Sequence, residues 1–303
     1  MSWLKKISSL FSGSSTSEDL ALAPDSEIKT APLNPAAVDG RPEEIPVEHV
    51  TYGASQSTGM ERDHNEDSLF VMFGHVDGQE STPDFGIFIV ADGMGGHRYG
   101  EVASAISIRT VASELTAGTV VSLLNPDGKE EALPLHDLIE GALEHANQAV
   151  VEQVPGGGTT MTAALLVGGQ MTIGHVGDSR AYVIDAQDTK VITRDHSLVE
   201  RLRELGQLTS DEAASHPQKN VLYRAIGQGP NLEVDVLSHP VPRGGYVLLC
   251  SDGLWGVVPD QDIRKIIFAA NTPQEACDDL VRAANAAGGP DNITAVLVHF
   301  PEG

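Results

Sequence analysis

Apolar and polar residues are arranged along the chain in two patterns, and each pattern predicts a different kind of element. Short apolar runs bounded by turn residues predict strands, whereas apolar residues that recur every three to four positions predict helices. The first pattern predicts strands over residues 50–55, 68–73, 85–90, 160–167, 171–176, 181–185, 190–193, 233–237, 246–250 and 293–299. The second predicts helices over residues 101–116, 135–154, 197–205, 210–215, 259–269 and 273–287.

The order of these elements predicts the fold class. Groups of strands alternate with pairs of helices, unlike the regular βαβ repeat of parallel sheets, and no GxGxxG sequence follows the first strand. We therefore expect an α+β domain in which antiparallel sheets are covered by helix pairs.

The N-terminal region is predicted to be organised separately from the rest of the chain, as a short amphipathic segment followed by a polar linker. In residues 1–12, one face of a helix would carry the apolar side chains of Trp3, Leu4, Ile7, Leu10 and Phe11. Such a segment could associate weakly with a membrane interface, or it could be a frayed end or a docking peptide. It lacks the apolar core and cleavage site of a secretory signal, and the chain has no apolar run long enough to span a membrane.

Residues 13–46 predict a disordered polar linker. They are rich in Gly, Ser, Thr, Pro and acidic residues and show no hydrophobic periodicity. The folded domain is therefore expected over residues 47–301.

Composition and charge narrow the class of function. The 303-residue chain has 43 acidic and 19 basic residues and a net charge of −24. This balance argues against nucleic acid as a main partner, because phosphate backbones are bound by Lys and Arg. Cys250 and Cys277 lie in apolar contexts, which predicts buried free thiols in a reducing compartment and favours a cytoplasmic location.

Aspartates follow or precede apolar strands beside glycine at Asp92, Asp178, Asp252 and Asp291. One such aspartate is readily explained as a turn residue. Because strand ends gather at one rim of packed sheets, however, the carboxylates can converge, and converging carboxylates repel one another unless a cation neutralises them. Oxygen ligands without a Cys or His cluster favour Mg²⁺ or Mn²⁺ over Zn²⁺.

The charged sequence ERDHNED before the second predicted strand contains Arg62, Glu66 and Asp67. It could be an ordinary solvated loop. In the functional interpretation, the forked donors of Arg62 bind a phosphate oxygen, and Glu66 contacts a metal-bound water. A water bridged by two metals is a nucleophile near neutral pH and suits in-line displacement at phosphorus.

Six motifs occur along the chain in this order: RDHNED, VADGMGGH, GGGTTMTAAL, HVGDSRAY, SDGLWGVV and GGPDNITAVLV. Taken together, they resemble those of the metal-dependent Ser/Thr protein phosphatases of the PPM (2C-type) family, bacterial branch. The resemblance covers residues 47–300, and residues 197–227 resemble the mobile flap segment of that branch. It implies a sandwich of two antiparallel β-sheets flanked by helix pairs. It also implies hydrolysis of phosphoserine and phosphothreonine in proteins by a metal-activated water, in opposition to Ser/Thr kinases, one of which could be a cognate partner.

The resemblance also implies which residues hold metal. Asp92 would bridge two ions with the help of the Gly93 carbonyl, and Asp252 and Asp291 would hold the second ion. Asp178 would join Asp252 at a third, weaker site. The expected cofactors are therefore two Mn²⁺ or Mg²⁺ ions, with a third at the weaker site.

The implied catalytic residues lie mostly in the charged loop. Glu66 would orient the metal-bound water, Asp67 would support the loop, and Arg62 would bind the substrate phosphate. Eukaryotic relatives carry a histidine, proposed as the general acid, where this chain has Met94, whose thioether cannot donate a proton. His97 is the candidate replacement; the alternatives are that His97 only holds the turn and that a water supplies the proton.

Several other features are expected to be structural. His175 and His196 have no partner at ligand spacing, and Ser179 lacks the GxSxG context of a serine hydrolase. The GGGTT run lacks the lysine of a P-loop. Asn292 and Thr294 are expected to shape the last turn.

Two alternative functions stay open. A non-catalytic relative could bind phosphoproteins or regulate a kinase, but Asp92, Asp252 and Asp291 are all present. A developmental-signalling phosphatase could act on a single anti-anti-sigma-like partner, but the sequence shows no attached sensor domain to support it.

Overall fold

The computed structural model describes residues 49–76, 82–95, 98–124 and 134–302. The predicted N-terminal segments 1–12 and 13–46 lie outside these residues, and so does His97. None of the described helices is long and apolar enough to cross a membrane.

Two five-stranded sheets form the centre of the fold. Sheet I consists, in order across it, of β1 (Thr51–Ser57), β12 (Ile293–His299), β11 (Tyr246–Cys250), β8 (Arg180–Ile184) and β9 (Thr189–Val191). Sheet II consists of β10 (Asp235–Pro240), β7 (Gln170–Val176), β6 (Met161–Val167), β3 (Thr82–Ala91) and β2 (Ser68–Val76). Neighbouring strands are antiparallel throughout both sheets. A short pair, β4 (Gly93–Met94) and β5 (Gly158–Thr159), stands apart from them.

Helices cover the outer faces of both sheets, and short helices lie in several of the connections between strands. They are α1 (Arg98–Leu115), α2 (Val121–Leu124), α3 (Leu135–Gln153), α4 (Leu198–Glu204), α5 (Ser210–Ala214), α6 (Asp252–Trp255), α7 (Asp260–Ala269) and α8 (Pro273–Ala286). A π-helical turn, Thr116–Val120, joins α1 to α2. Helices α1 and α3 pack against sheet II, and α7 and α8 pack against sheet I.

The core has three layers because the central strands are apolar on both faces. On β3, Phe88 and Val90 point between the two sheets, whereas Ile87 and Ile89 point toward α1 and α3. This is the period of two expected of a strand. A third layer, which includes Leu248, lies between sheet I and its helices. The predicted fold class, a sandwich of two antiparallel sheets flanked by helix pairs, is confirmed.

The structure differs from the predicted elements mainly at short segments. Helix α1 begins at Arg98 rather than at residue 101, and several short elements were not predicted: the π-helical turn, α2, the β4–β5 pair and α6. Each has only two to five residues per segment, too few to show a hydrophobic period. The β4–β5 pair and α6 nevertheless matter, because they carry residues of the candidate site.

Candidate metal centre

The loops after β3, after β7, after β11 and before β12 bring the four predicted aspartates to one rim of the sandwich. All four act together electrostatically with Asp67: the pKa of Asp92 is raised by burial and then by the charges of Asp67, Asp252, Asp178 and Asp291. The sequence-predicted convergence of these carboxylates is therefore present in the structure.

Asp92 is held through its backbone. Its N–H donates to Thr160 Oγ1 (2.9 Å), and its carbonyl accepts from Thr160 N–H (2.8 Å) and from Thr159 Oγ1 (2.8 Å). The next residue, Gly93, pairs with Thr159 in the β4–β5 ladder. A Cβ at Gly93 would lie 2.4 Å from the Gly100 carbonyl oxygen, so only glycine fits where the backbone passes this closely.

Asp178 is buried between β7 and β8, with 7% of its surface exposed. Its backbone carbonyl accepts a hydrogen bond from the Trp255 indole Nε1–H (3.0 Å). The pKa of its carboxyl is raised well above the usual value, first by burial and then by the charges of Asp252 and Asp195. Its position is thus fixed by a neighbour on α6, and the charge of Arg180 only partly offsets the effect of burial and of the neighbouring carboxylates.

Asp252 is the first residue of α6 and follows the end of β11. Its Oδ1 atom is buried and has no hydrogen-bond partner among the described residues. Burial, followed by the charge of Asp291, raises its pKa to about 6. A buried carboxylate oxygen without a donor is unfavourable, and a cation is the kind of partner that would satisfy it.

Asp291 differs from the other three because it already has a cationic partner. Arg62 Nη2 donates to Asp291 Oδ2 at 2.6 Å, and the Arg62 and Asp291 side chains are 47% and 27% exposed. The other oxygen, Oδ1, accepts from Asn292 N–H (2.8 Å). Asp291 therefore lies at the open side of the site, next to the residue predicted to bind phosphate.

Asp67 lies behind the metal-candidate residues. Its Oδ2 accepts hydrogen bonds from Ser251 Oγ (2.8 Å) and Thr294 Oγ1 (2.6 Å), and its Oδ1 is buried without a partner among the described residues. Burial, which outweighs these hydrogen bonds, raises its pKa to about 7. Since Ser251 precedes Asp252, the supporting role predicted for Asp67 extends to that loop as well as to its own.

Glu66 is 6% exposed and is fixed by neighbouring backbone. Its N–H donates to Asn292 Oδ1 (2.8 Å), and its carbonyl accepts from Ser104 Oγ (2.7 Å). Its Oε1 lies 3.6 Å from His64 Nε2. Asn292, expected only to shape the last turn, also donates to the carbonyls of Thr58 and His64 and so joins the charged loop to the loop that carries Asp291.

The oxygen atoms of the four rim aspartates lie farther apart than the ligand atoms around a single bound ion would. Among the described residues, only the exposed group His136, Asp137 and Glu140 offers three ligand atoms that all lie within 4.8 Å of one another. That group lies in the first two turns of α3 and includes none of the four rim aspartates.

The structure describes Met94, which occupies the position of the eukaryotic histidine, but not His97, the candidate replacement for that general acid. Met94 is half-buried and pairs with Gly158, so its side chain packs beside the β4–β5 ladder. His97 lies outside the described residues. The predicted role of His97 stays a prediction.

His175 and His196 have the structural character predicted for them. His175 has Thr162 Oγ1 at 3.0 Å from Nδ1 and the Arg194 carbonyl at 3.0 Å from Nε2. His196 Nδ1 accepts from Gly177 N–H, and its Nε2 lies 3.2 Å from Asp235 Oδ2. Both rings are therefore occupied by protein partners next to the Asp178 loop.

A cavity of about 940 Å³ opens from the metal centre toward the flap segment. Its walls include Asp252 and Asp291 on one side and Glu200, Arg203 and Lys219 of the flap on the other. Arg203 pairs with Glu200, whereas the ammonium group of Lys219 has no ion pair with any described residue and exerts its charge on Asp252. The cavity is large enough for a peptide side chain and its flanking backbone.

Sequence reasoning did not identify the hydroxyl and indole groups that fix the aspartates. They are Thr159, Thr160, Ser179, Ser251 and Trp255. The available signal was their position next to the aspartates or within the GGGTT run, but a Ser or Thr at a strand end is most often a turn residue, so position alone did not distinguish them.

Comparison with known proteins gives a consistent result. Residues 62–289 match the family described as Protein phosphatase 2C. A serine/threonine phosphatase, Stp, of Listeria monocytogenes is 36% identical over 246 residues, which are 79% of this chain and 92% of that protein.

Solved structures agree with that similarity. The serine/threonine phosphatase of S. agalactiae superposes with a TM-score of 0.71 at 32% identity, covering 83% of this chain and 100% of that one. The catalytic domain of the phosphatase PstP, solved in complex with two manganese ions, superposes with a TM-score of 0.67 at 30% identity, covering 83% and 98%.

Proposed function

The chain belongs to the protein phosphatase 2C family and is a metal-dependent serine/threonine protein phosphatase, and we propose that the rim aspartates are its metal ligands. Asp92, Gly93, Asp252 and Asp291 would hold the core pair of ions, and Asp178 would join Asp252 at a third site. The observation that carries this assignment is the buried Oδ1 of Asp252, which has no hydrogen-bond partner among the described residues and stands among other carboxylates.

The donor set fits Mg²⁺ or Mn²⁺. The ligand atoms would be carboxylate oxygens and one backbone carbonyl, which suit these hard cations. Burial and neighbouring carboxylates raise the pKa values of Asp92 and Asp178. A divalent ion would offset both the loss of hydration and the repulsion between the carboxylates. When bound, such ions supply an activated water near neutral pH and neutralise charge at the phosphorus.

The side chains of this protein would prepare the displacement. The Glu66 carboxylate would accept a hydrogen bond from the attacking water and so orient it toward phosphorus. Arg62 would hold the phosphate oxygens through its guanidinium, exchanging its present carboxylate partner for the phosphate. As the bond from phosphorus to the seryl oxygen breaks, that oxygen takes a proton, which in this proposal comes either from His97 or from a water, because Met94 has none to give.

The substrate protein would approach through the cavity under the flap. Its phosphorylated side chain would reach Arg62 at the metal centre, and an anionic group beside it would meet Lys219. Lys219 is suited to this contact because it is exposed and its ammonium has no ion pair among the described residues. In a chain with a net charge of −24, this positive charge would favour phosphoproteins that carry an anionic group beside the phosphorylated residue.

A cytoplasmic site of action and a membrane contact through residues 1–12 are part of the same proposal. If residues 1–12 form a helix, its apolar residues would share one face and the segment would also carry Lys5 and Lys6, as interfacial segments do. A Ser/Thr kinase whose products this enzyme dephosphorylates would be the cognate partner.

The proposed function is tested by hydrolysis of p-nitrophenyl phosphate and of a phosphothreonine peptide, with Mn²⁺ and with chelator. Turnover is expected only with the metal, and Asp252→Asn should abolish it. Asp278→Asn, a change on the exposed surface of α8, is the matched control and should be active. Phosphopeptide binding without metal-dependent turnover in the wild type would instead support the non-catalytic alternative.

A further inference from the structure

A buried pair of hydroxyl groups joins the loop of Asp92 to the loop of Asp178. Thr160 Oγ1 accepts a hydrogen bond from Asp92 N–H at 2.9 Å, which leaves its own proton available. Ser179 Oγ lies 2.7 Å from the same oxygen. Because Ser179 directly follows Asp178, one threonine hydroxyl touches both aspartate loops.

This contact lies in the dry interior of the protein. Thr160 is 1% exposed and Ser179 is fully buried. Water therefore cannot readily replace the threonine hydroxyl, and its removal would leave Asp92 N–H and Ser179 Oγ short of a partner.

The contact also holds together two loops whose carboxylates, those of Asp92 and Asp178, repel each other. Asp92 and Asp178 are two of several carboxylates that disfavour one another's charge at this rim. Without the hydroxyl link, the Asp92 loop would keep its bonds to Thr160 N–H and Thr159 Oγ1 but would lose its connection to the Asp178 loop, so that the two loops could move apart and separate the charges. A cation would then have to draw the loop back, and the free energy of that rearrangement would weaken binding.

We infer that Thr160 is a positioning residue that holds Asp92 and Asp178 in a fixed relation, so that ions at the core pair and at the third site bind cooperatively. This inference rests on the proposed metal centre. It assigns to the GGGTT sequence a function other than a turn: its second threonine links the ligand loop after β3 to the ligand loop after β7.

The test is a calorimetric Mn²⁺ titration of the full-length protein, together with thermal unfolding in chelator and in saturating Mn²⁺. Thr160→Val removes the hydroxyl at nearly constant volume, and Thr160→Ser restores it. Ser179→Ala removes the link but keeps the Asp92 bond. Thr172→Val is the matched control, because Thr172 is a similarly buried threonine on β7 whose hydroxyl makes, among the described residues, only a long hydrogen bond with Ser238 Oγ at 3.5 Å.

Thr160→Val is expected to weaken Mn²⁺ binding by about tenfold, the size of one buried hydrogen bond, and to reduce the rise in melting temperature that Mn²⁺ produces. Thr160→Ser should bind nearly as tightly as wild type, and Thr172→Val should be unchanged. Ser179→Ala should broaden the titration by separating the weak site from the core pair.

Two results would overturn the inference. One is a Thr160→Val titration that overlays the wild type while only metal-free stability falls, since that is what a purely structural threonine would give. The other is an unchanged titration shape in Ser179→Ala. If wild type itself bound no Mn²⁺, the proposed metal centre would fail as well, so the two failures are distinguishable.

Discussion

Arg62 and Asp291 are joined by a hydrogen-bonded ion pair, Nη2 to Oδ2 at 2.6 Å, although 229 positions separate them in the sequence. Both side chains are partly exposed, and an exposed ion pair contributes on the order of 1 kcal/mol or less. The pair is therefore weak enough to be exchanged when a phosphate and a cation enter. It connects a candidate substrate contact directly with a candidate metal ligand.

Replacement of Arg62 should separate these two roles. In Arg62→Ala, we expect the KM for a phosphopeptide to rise about tenfold or more, because a charge-assisted contact with phosphate is lost. Affinity for Mn²⁺ should be equal or higher, because Asp291 is released. Steady-state kinetics over a range of Mn²⁺ concentrations would measure both, and weaker Mn²⁺ binding with an unchanged KM would contradict the assignment.

Asp252→Asn should remove activity and, in the absence of metal, not destabilise the protein. Loss of several kcal/mol of transition-state stabilisation corresponds to about a thousandfold or greater fall in kcat. The folded-state pKa of Asp252 is raised to about 6, so its ionised form opposes folding above that pH, and a neutral amide relieves this. Thermal unfolding in chelator checks the second expectation; a large fall in melting temperature there would argue against a repelled carboxylate.

Lys219 should affect protein substrates more than small ones. In Lys219→Gln, we expect kcat/KM for a phosphopeptide with acidic flanking residues to fall about fivefold, since the loss of a rim charge mainly slows association. Hydrolysis of p-nitrophenyl phosphate should be unchanged, because this compound does not extend toward the flap. Lys265→Gln, on the exposed face of α7, is the control. Equal losses for both substrates would place Lys219 in a different role.

His175 should make the folded state sensitive to acid. Burial and then the neighbouring His196 lower its pKa to about 3, below the unfolded value of about 6.5. The stability that neutral His175 contributes to the folded state is therefore complete above pH 6.5 and is lost as the pH falls toward 3. Between pH 6 and pH 5, the free energy of unfolding of the wild type should fall by about 1 kcal/mol more than that of His175→Gln. Parallel pH profiles from chemical denaturation would count against a neutral buried His175.

Deletion of residues 2–46 tests the proposed membrane contact. The full chain should sediment with vesicles that contain anionic lipid, and the shortened chain should stay in the supernatant. Lys5→Glu combined with Lys6→Glu should give an intermediate result, because it removes only the electrostatic part. Catalysis by the shortened chain should be unchanged. Identical partition of the full and shortened chains would exclude the contact.

Much of this architecture could be predicted because apolar residues recur at regular spacing along the long helices and strands. The 19-residue helix α3 buries Ile139, Ala142, Leu143, Ala146 and Val150, and these same positions carried the helical pattern. The rim of aspartates also followed from a simple rule, that strand ends gather at the edge of packed sheets. The prediction succeeded wherever a single physical cause acts along many consecutive residues.

The remainder depends on contacts between distant positions. Thr160 contacts Ser179, and Asp67 contacts Thr294, only because the two sheets pack face to face in one particular orientation. Helix α6 is too short to show amphipathicity and begins at Asp252 itself. The ion pair between Arg62 and Asp291 likewise joins two residues whose individual roles could be expected but whose contact could not.

The placement of the ligand loops has a consequence for how this protein would behave in a cell. Asp92 extends from a strand of sheet II, whereas Asp252 and Asp291 flank strands of sheet I. An ion shared by these residues cross-links the two layers of the sandwich, and any ligand that binds only the folded state lowers the population of opened forms. Metal supply should therefore govern resistance to proteolysis as well as turnover, so that a metal-starved cell would contain less of the phosphatase rather than merely an idle pool of it.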